Sequence, residues 1–235
     1  YTLVGYDLME EEDFDFNVGF WQAGDINDNA TTGMWEIGVP MGSYLEPMSQ
    51  SGIVQTANQH TLNGFQCAFT ENASSEFSSI GESDIDNGHT TLYSPLYDLS
   101  SYTNPAFSYW RWYTNNTGAE PNADWWQVQI TDDGVNWVYV ENTLTSDISW
   151  RKFAFRAQDF INPNSSQVQL RFIASDSAYG SLSGGSLVEA ALDDLYLYES
   201  KNNQTDVSFE TNNNSKKLVL ITDVLGREID ITKIN

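Results

Sequence analysis

Cysteine is almost missing from this chain of 235 residues, in which Cys67 stands alone. A single cysteine excludes an intramolecular disulfide and a cysteine-based zinc site. Its neighbours, Phe65 and Phe69 among them, are largely apolar. This context predicts that Cys67 is a small buried hydrophobic residue and not a nucleophile.

Basic residues are also scarce, with 10 Lys and Arg against 33 Asp and Glu and a net charge of −23. A field of this sign repels phosphate backbones and anionic lipid surfaces. The balance predicts neither nucleic acid nor a membrane surface as a partner. It suits cations, neutral glycans or a well-solvated surface.

Long hydrophobic runs are missing, and no run reaches the ~18 residues that a membrane span requires. We therefore expect no membrane insertion. No signal peptide is visible, and the first residue is Tyr1 without Met. These features predict that the chain begins after processing or inside a larger protein.

Catalytic motifs are missing as well. No His-Glu-x-x-His pair is present, His60 and His89 are the only histidines, and no Gly-x-Ser-x-Gly elbow occurs. We assign no catalytic residue and expect a non-enzyme, or the accessory part of a secreted peptidase or other hydrolase. Glycosidase chemistry needs only two carboxylates, so an intrinsic hydrolase remains the weaker alternative.

Helical periodicity is absent, and short runs rich in Val, Ile, Tyr, Phe, Trp and Thr alternate with turn residues instead. Hydrophobic residues make up 40% of the chain and aromatic residues 14%, enough for a packed core. This pattern of short strand-like runs and turn residues predicts an all-β fold, an antiparallel β-sandwich. The predicted strands cover 14–21, 89–97, 106–114, 125–131, 135–141, 167–174 and 187–198.

The predicted strand 187–198 is apolar on both faces, which places it centrally in a sheet. Strict alternation puts Asp193 on one face with Leu195 and Asp194 on the other with Leu192, so one carboxylate points into apolar surroundings. A buried carboxylate requires a cation or hydrogen-bond donors. The alternatives are a metal site, with Glu189 on the face of Asp193, or bonds to backbone N–H groups or to Arg171.

A second acidic loop contains Asp84 and Asp86 and ends at Gly88. It resembles the beginning of an EF-hand loop, but Pro95 occupies the twelfth position, where that loop carries glutamate. The loop is either a second metal site or a turn held by Asx hydrogen bonds.

Aromatic residues provide a candidate binding surface. In 125–131, Trp126 alternates to one face with Val128 and Ile130, whereas Trp125, Gln127 and Gln129 lie on the other. Exposed tryptophan beside amides suits a glycan, although alternate aromatic residues in sandwich strands are more often core. Arg111, flanked by Trp110 and Trp112, is expected to be a stacked structural residue.

A set of segments in a fixed order spans residues 13–199. It resembles the jelly-roll accessory domain of secreted bacterial zinc carboxypeptidases and related exported proteins, and more distantly MAM-type adhesion domains. The resemblance implies a non-catalytic module with a structural calcium ion, for which Asp15, Asp25 and Asp28 would join Asp193 and Asp194. The segments are 13–15, 24–36, 84–95, 108–113, 124–128, 131–137, 170–176 and 188–194.

The last residues resemble a second known element. After the polar stretch 200–215, which reads as a linker, residues 216–235 form a short β segment that is similar to the start of the C-terminal sorting domain of type IX secretion cargo. The similarity rests on Asp223, Gly226, Arg227 and Glu228. It implies a truncated tail that engages the type IX secretion machinery, and a secreted or cell-surface protein.

Three functions therefore remain open for residues 1–199. The first is an accessory module that contacts a partner domain of the same chain. The second is a carbohydrate-binding or adhesin module, and the third, less favoured, is a hydrolase.

Overall fold

The computed structural model describes residues 5–16, 18–176 and 185–200, and in these ranges the chain forms β-strands, turns and no α-helix. Short 3-10 turns occur at Val18–Phe20, Pro47–Ser49 and Ala157–Asp159. The strands, in chain order, are β1 (Tyr6–Glu12), β2 (Gln22–Ala23), β3 (Trp35–Gly38), β4 (Tyr44–Glu46), β5 (Ser51–Ile53), β6 (Cys67–Thr70), β7 (Gly88–Tyr93), β8 (Pro105–Thr114), β9 (Trp125–Thr131), β10 (Val138–Thr143), β11 (Asp147–Arg156), β12 (Gln169–Asp176) and β13 (Glu189–Ser200).

Two antiparallel sheets contain nearly all of these strands. Sheet A has six strands in the order β11-β8-β13-β6-β3, with β1 paired to the far half of β13. Sheet B has five strands in the order β10-β9-β12-β7-β2, and β4 and β5 form a separate hairpin. The chain passes back and forth between the sheets from β6 to β9 and again from β10 to β13. The predicted all-β, antiparallel β-sandwich is confirmed.

The core lies between the sheets and follows the period of two of each strand. Trp126, Val128 and Ile130 of β9 are fully buried, as are Leu170 and Phe172 of β12. These side chains belong to one cluster with the inward residues of β8, namely Phe107, Tyr109 and Tyr113. The alternation predicted for β9 and β12 is therefore confirmed.

A buried ion pair crosses this core. Arg111 points inward from β8 and donates from Nε and Nη2 to Glu141 Oε1, at 2.9 and 2.7 Å. Glu141 Oε2 accepts from the Tyr109 hydroxyl and from Trp126 Nε1. Arg111 is thus a structural residue, as predicted, and its guanidinium lies 5.9 Å from the ring centroid of Trp126, because alternation sends Trp110 and Trp112 to the opposite face.

The outer face of sheet A is covered by a long excursion between β3 and β6, here called the cover segment (residues 43–66). Trp112 Nε1 and Thr114 Oγ1 both donate to the Val54 carbonyl, at 2.7 and 3.1 Å. Every residue of β6 is buried, Cys67 included. Cys67 is thus the small buried residue that its context predicts.

The predicted strand 14–21 is wrong. The first strand is β1, which pairs with β13, and the chain then turns sharply at Phe14, whose φ is 59°. Glu12 organises the turn, since its Oε1 accepts from Phe14 N and its Oε2 accepts from Trp21 Nε1. Phe14 is buried by this turn and its ring centroid lies 4.8 Å from that of Trp21. In the sequence, a buried aromatic residue of a turn gives the same hydrophobic signal as a residue of a β-strand.

The other predicted strands are present with shifted ends. The turn at Asp132-Asp133-Gly134 joins β9 to β10, which are antiparallel partners as predicted. The predicted strand 187–198 corresponds to β13, which lies between β8 and β6 and is central as predicted. The predicted sorting segment 216–235, and the linker beyond Ser200, lie outside the described residues.

Candidate ligand-binding face

A β-bulge places both aspartates of β13 on the same side of sheet A. The register of β13 against β8 shifts between Asp193 and Tyr196, and Asp194 has φ +48°. Leu192 and Leu195 both enter the core as a result, while Asp193 and Asp194 both contact the cover segment. The expected division of the two carboxylates between faces is wrong, because the bulge inserts a residue into the alternation.

Donors of the cover segment surround these two carboxylates. Asp193 is fully buried and accepts from the backbone N–H groups of His60 (2.6 Å) and Thr61 (3.2 Å) and from the Thr61 hydroxyl. Asp194 accepts from Thr61 Oγ1 and lies 2.5 Å from His60 Nδ1. Burial raises the pKa of Asp193 to about 7, against the opposing effect of the His60 N–H.

Asp15 meets the other end of the same loop. Its Oδ1 accepts from the backbone N–H groups of Phe65 and Gln66, both at 2.9 Å. Backbone N–H donors thus bond to Asp15 Oδ1 and to both oxygens of Asp193, where a calcium ion would have to replace them. Since calcium binds oxygen ligands only, this donor set does not fit the ion unless the loop is rearranged.

Asp25 and Asp28 lie elsewhere, beside sheet B. Asp28 accepts from the Thr91 N–H and hydroxyl, at 2.9 and 2.7 Å, whereas Asp25 accepts from the Tyr93 hydroxyl. Within the described ranges, no group of three or more Asp, Glu, His or Cys side chains is assembled to hold a metal ion. Calcium therefore stays a prediction.

Glu189 lies on the face of Asp193, as predicted, but has a separate set of partners. It accepts from the hydroxyls of Ser43 and Thr70 at 3.1 Å each and from Gln55 Nε2 at 3.0 Å. Complete burial raises its pKa well above the usual value, and the nearby Asp84 carboxylate adds to the shift. Glu189 thereby ties the cover segment to sheet A.

The acidic loop before β7 is a turn with one deeply buried carboxylate. Asp84 is 2% exposed, and burial followed by the charges of Asp86 and Asp176 raises its pKa to about 7. The backbone carbonyls of Asp84 and Asp86 accept from the hydroxyls of Thr32 and Thr31. The predicted Asp84 and Asp86 pair thus lies near a third acid, Asp176, that the sequence pattern did not connect to it.

The outer face of sheet B carries a different kind of surface. Its outward side chains form three rows across β7, β12 and β9, which follow from the register of these strands. We call this surface the sheet B face. Its three rows are Tyr93, Arg171 and Gln129; then Thr91, Ile173 and Gln127; then His89, Ser175 and Trp125.

The first row is held together by aromatic and polar contacts. Arg171 Nε donates to Gln129 Oε1 at 2.7 Å, and the guanidinium lies 4.3 Å from the Trp137 ring centroid. The Trp137 ring meets Tyr93 edge to face at 5.7 Å. Tyr93 donates to Asp25 Oδ2 at 2.5 Å, and this bond is the main cause of the lowered pKa of Asp25.

The third row presents Trp125, and the middle row lies between the two aromatic groups. Trp125 is half-buried, and Gln127 Nε2 donates to Asn142 Oδ1 at 3.2 Å on the neighbouring strand β10. Ile173, Thr91 and Ser175 are buried beneath the larger side chains. The middle row of Thr91, Ile173 and Gln127 thus lies between the row of Trp125 and the row that Trp137 contacts.

The outward orientation of Trp125, Gln127 and Gln129 agrees with the alternation in the sequence. Gln129 is nevertheless only 5% exposed, since Arg171 lies against it. Sequence reasoning missed Tyr93 and Arg171, which come from two other segments and lie beside Trp137. Trp137 follows the Asp-Gly turn that joins β9 to β10, and this turn was the available signal that it lies beside β9.

Comparison with known proteins adds distant likenesses. No protein-family profile and no curated protein matches the chain. A cleaved adhesin domain of Lys-gingipain from Porphyromonas gingivalis is similar with a TM-score of 0.47 and 12% identity, over 80% of this chain and 96% of that one. A xylan-binding domain of carbohydrate-binding module family 22 gives 0.43 and 7%, over 83% and 96%.

A third solved structure, a family 61 carbohydrate-binding module in complex with β-1,4-galactotriose, has a TM-score of 0.42 and 12% identity, over 78% of this chain and 90% of that one. Similarity this distant carries no conclusion about what the present chain binds.

No helix in the described part of the chain is long and apolar enough to cross a membrane.

Proposed function

We propose that this chain is a non-catalytic binding module of a secreted or cell-surface protein, and that it binds a neutral glycan on the sheet B face. The observation that carries the proposal is the pair of half-buried tryptophans, Trp125 and Trp137, with the amides of Gln127 and Asn142 beside them. Tryptophan faces stack on the C–H faces of sugar rings, and amides supply both donors and acceptors for hydroxyl groups.

Charge favours a neutral ligand. Arg171 lies over the Trp137 ring, and it already engages Gln129 and Tyr93. The Tyr93 hydroxyl links it to the carboxylate of Asp25. With this local pairing and a net charge of −23, a polyanionic glycan would be repelled.

The dimensions favour an oligosaccharide over a single sugar. Trp125 and Gln129 are four residues apart on β9, which corresponds to about 13 Å along a strand. Trp137 contacts Arg171 in the row of Gln129. The two tryptophans therefore flank a strip that is longer than one pyranose ring, and the ligand would cross it.

The test is affinity electrophoresis against neutral polysaccharides, namely β-glucan, xylan, mannan and galactan. We expect retardation by at least one of them, and loss of about tenfold or more in affinity for Trp125→Ala and for Trp137→Ala. Trp150→Ala is the matched control, because Trp150 is half-buried beside the cover segment on sheet A.

Two outcomes would count against the proposal. One is that the wild-type chain is retarded by none of these polysaccharides. The other is that both sheet B variants bind as well as wild type, which would move any binding to another surface.

The tail is a separate proposal, supported by its resemblance alone. We propose that residues 216–235 direct export by the type IX machinery. A reporter that carries residues 200–235 should reach the medium or surface of a bacterium with this system, and Gly226→Val should keep it in the cell. Equal export of both fusions, or of neither, would contradict this role.

A further inference from the structure

An amide, a hydroxyl and a carboxyl group meet in the interior where the cover segment joins sheet A. They belong to Gln55 of the cover segment, Thr70 of β6 and Glu189 of β13. Gln55 is 1% exposed, and Thr70 and Glu189 are fully buried. We call these three residues the buried triad.

The members of the buried triad lie within hydrogen-bond distance of one another. Gln55 Nε2 is 3.2 Å from Thr70 Oγ1 and 3.0 Å from Glu189 Oε2. Thr70 Oγ1 is 3.1 Å from the same glutamate oxygen. The hydroxyl group therefore lies beside the amide group, and one carboxyl oxygen contacts both the hydroxyl oxygen and the amide nitrogen.

The orientation of the Gln55 amide follows from its other contacts. Its Oε1 accepts from the Thr56 N–H at 3.0 Å, whereas Nε2 also faces the carbonyl oxygens of Thr70 and Ala190, at 3.3 and 3.2 Å. Acceptors on one side and a donor on the other assign the nitrogen to the side of Glu189. The Ala190 N–H donates to Thr70 Oγ1 at 2.9 Å and so holds the hydroxyl in place.

These groups are the parts that an acyl transfer requires. A threonine hydroxyl becomes a nucleophile when an adjacent base takes its proton. An amide nitrogen leaves when it receives a proton, and an N–H donor at the amide oxygen stabilises the negative charge that develops there. Glu189 Oε2 is placed for both proton transfers, and the Thr56 N–H is placed at the amide oxygen.

We propose that Thr70 and Gln55 form an intramolecular ester that fastens the cover segment to sheet A. The Thr70 oxygen bonds to the Gln55 carbonyl carbon, and the bond between that carbon and Nε2 breaks. Glu189 takes the hydroxyl proton and passes it to the leaving nitrogen. The products are one ester and one ammonia molecule, so no oxidant or further reactant is needed. The hydrogen bonds described above are those of the pair before this bond forms.

The ester gives this chain a covalent tie that a single cysteine cannot provide. It closes a loop between residues 55 and 70, and a closed loop restricts the unfolded chain as a disulfide does. Complete burial of Thr70 and Glu189 keeps water from the ester once it has formed. The tie does not depend on glycan binding, which lies on the other sheet.

The test is the intact mass of the purified full chain, measured after unfolding in denaturant. We expect the wild-type chain to be lighter than its sequence requires by one ammonia molecule. Thr70→Val and Glu189→Gln should have the full mass, whereas Thr70→Ser keeps a hydroxyl and should show the loss. Thr114→Val is the matched control and should also show the loss, because the buried Thr114 hydroxyl donates to the cover segment at the Val54 carbonyl instead.

Chymotryptic peptides locate the bond. Positions 55 and 70 are separated by cleavage after Leu62, Phe65 or Phe69, so we expect a single linked species that contains both. Loss of the link in Thr70→Val should lower the Tm by about 5 °C or more relative to Thr70→Ser. Circular dichroism identifies any variant that fails to fold, and the mass of the wild-type chain decides without it.

The proposal is overturned if the folded wild-type chain has the full mass of its sequence, because the buried triad then forms hydrogen bonds only. It is also overturned if Thr70→Val still lacks one ammonia molecule, since the loss would then come from another site, such as ring closure at Asn63-Gly64. A Glu189→Gln chain that links as completely as wild type would contradict the proton transfer through Glu189.

Discussion

The two sheets of this molecule differ most on their outer faces. The outer face of sheet A lies under the cover segment, and β6 is buried on both sides. On the sheet B face, half-buried and buried side chains alternate along the strands. The half-buried side chains include Trp125, Gln127 and Arg171. The strands β6, β8 and β13 of sheet A are thus enclosed on both sides, while the sheet B face keeps a rim of aromatic and polar side chains.

Polar residues have different roles on the two faces: those of sheet A hold the cover segment, and those of the sheet B face bond to their neighbours at the surface. On sheet A, Glu189 and Asp193 are fully buried, and their oxygens bond to the cover segment. On the sheet B face, Arg171 and Tyr93 bond mainly to groups at the same surface. Substitutions on sheet A should therefore change stability, and those on the sheet B face should change binding.

The largest expected effect comes from a matched pair of tryptophans. Trp112→Ala on sheet A should lower the free energy of unfolding by about 3–5 kcal/mol, because a buried indole and its bond to Val54 are lost. Trp125→Ala on the sheet B face should cost about 1 kcal/mol or less, since its indole is already half in water. Urea unfolding followed by circular dichroism measures both, and equal losses would erase the distinction between the faces.

A middle effect is expected from a pair of aspartates. Asp193→Asn replaces an oxygen that meets N–H donors with an NH₂ group, which should cost about 1–3 kcal/mol. Asp25→Asn, beside the sheet B face, should cost about 0.5 kcal/mol or less, because the side chain is partly exposed, its remaining oxygen keeps the bonds from Asn27, and water can replace the bond from Tyr93. The same urea titration compares them in chelator, and a costlier Asp25 change would contradict the comparison.

The smallest stability effect is expected at Gln127. Gln127→Ala should leave the free energy of unfolding within about 0.5 kcal/mol of wild type, because its side-chain hydrogen bond to Asn142 is exposed to water. The variant should nevertheless bind the retarding polysaccharide more weakly. A large loss of stability, or unchanged binding, would show that this amide supports the sheet and not a ligand.

Local periodicity accounts for what the sequence predicted well. The alternation of Trp125 with Trp126, and of Leu170 with Arg171, follows from two-residue pleating and needs no knowledge of neighbours. The central position of β13 follows from a strand that is apolar on both faces. These local signals were sufficient to predict the fold class and to predict which side chains of β9 point outward.

The misses arise from features that no local pattern encodes. The bulge at Asp193 and Asp194 depends on a positive φ at a residue that tolerates it, and it reverses the alternation beyond it. Strand β1 is mostly acidic and exposed, so its pairing with β13 leaves no apolar alternation. Arg171 and Tyr93 become neighbours of Gln129 only through the register of β7, β12 and β9.

The central claim is that a glycan lies on the sheet B face between Trp125 and Trp137. The most direct measurement is the indole N–H region of a proton–nitrogen NMR spectrum, recorded during titration with an oligosaccharide from the polysaccharide that retards the chain most. We predict that the Trp125 and Trp137 signals shift while that of Trp112, beneath the cover segment, does not. Shifts confined to tryptophans of sheet A, or no shifts at saturating sugar, would contradict this account.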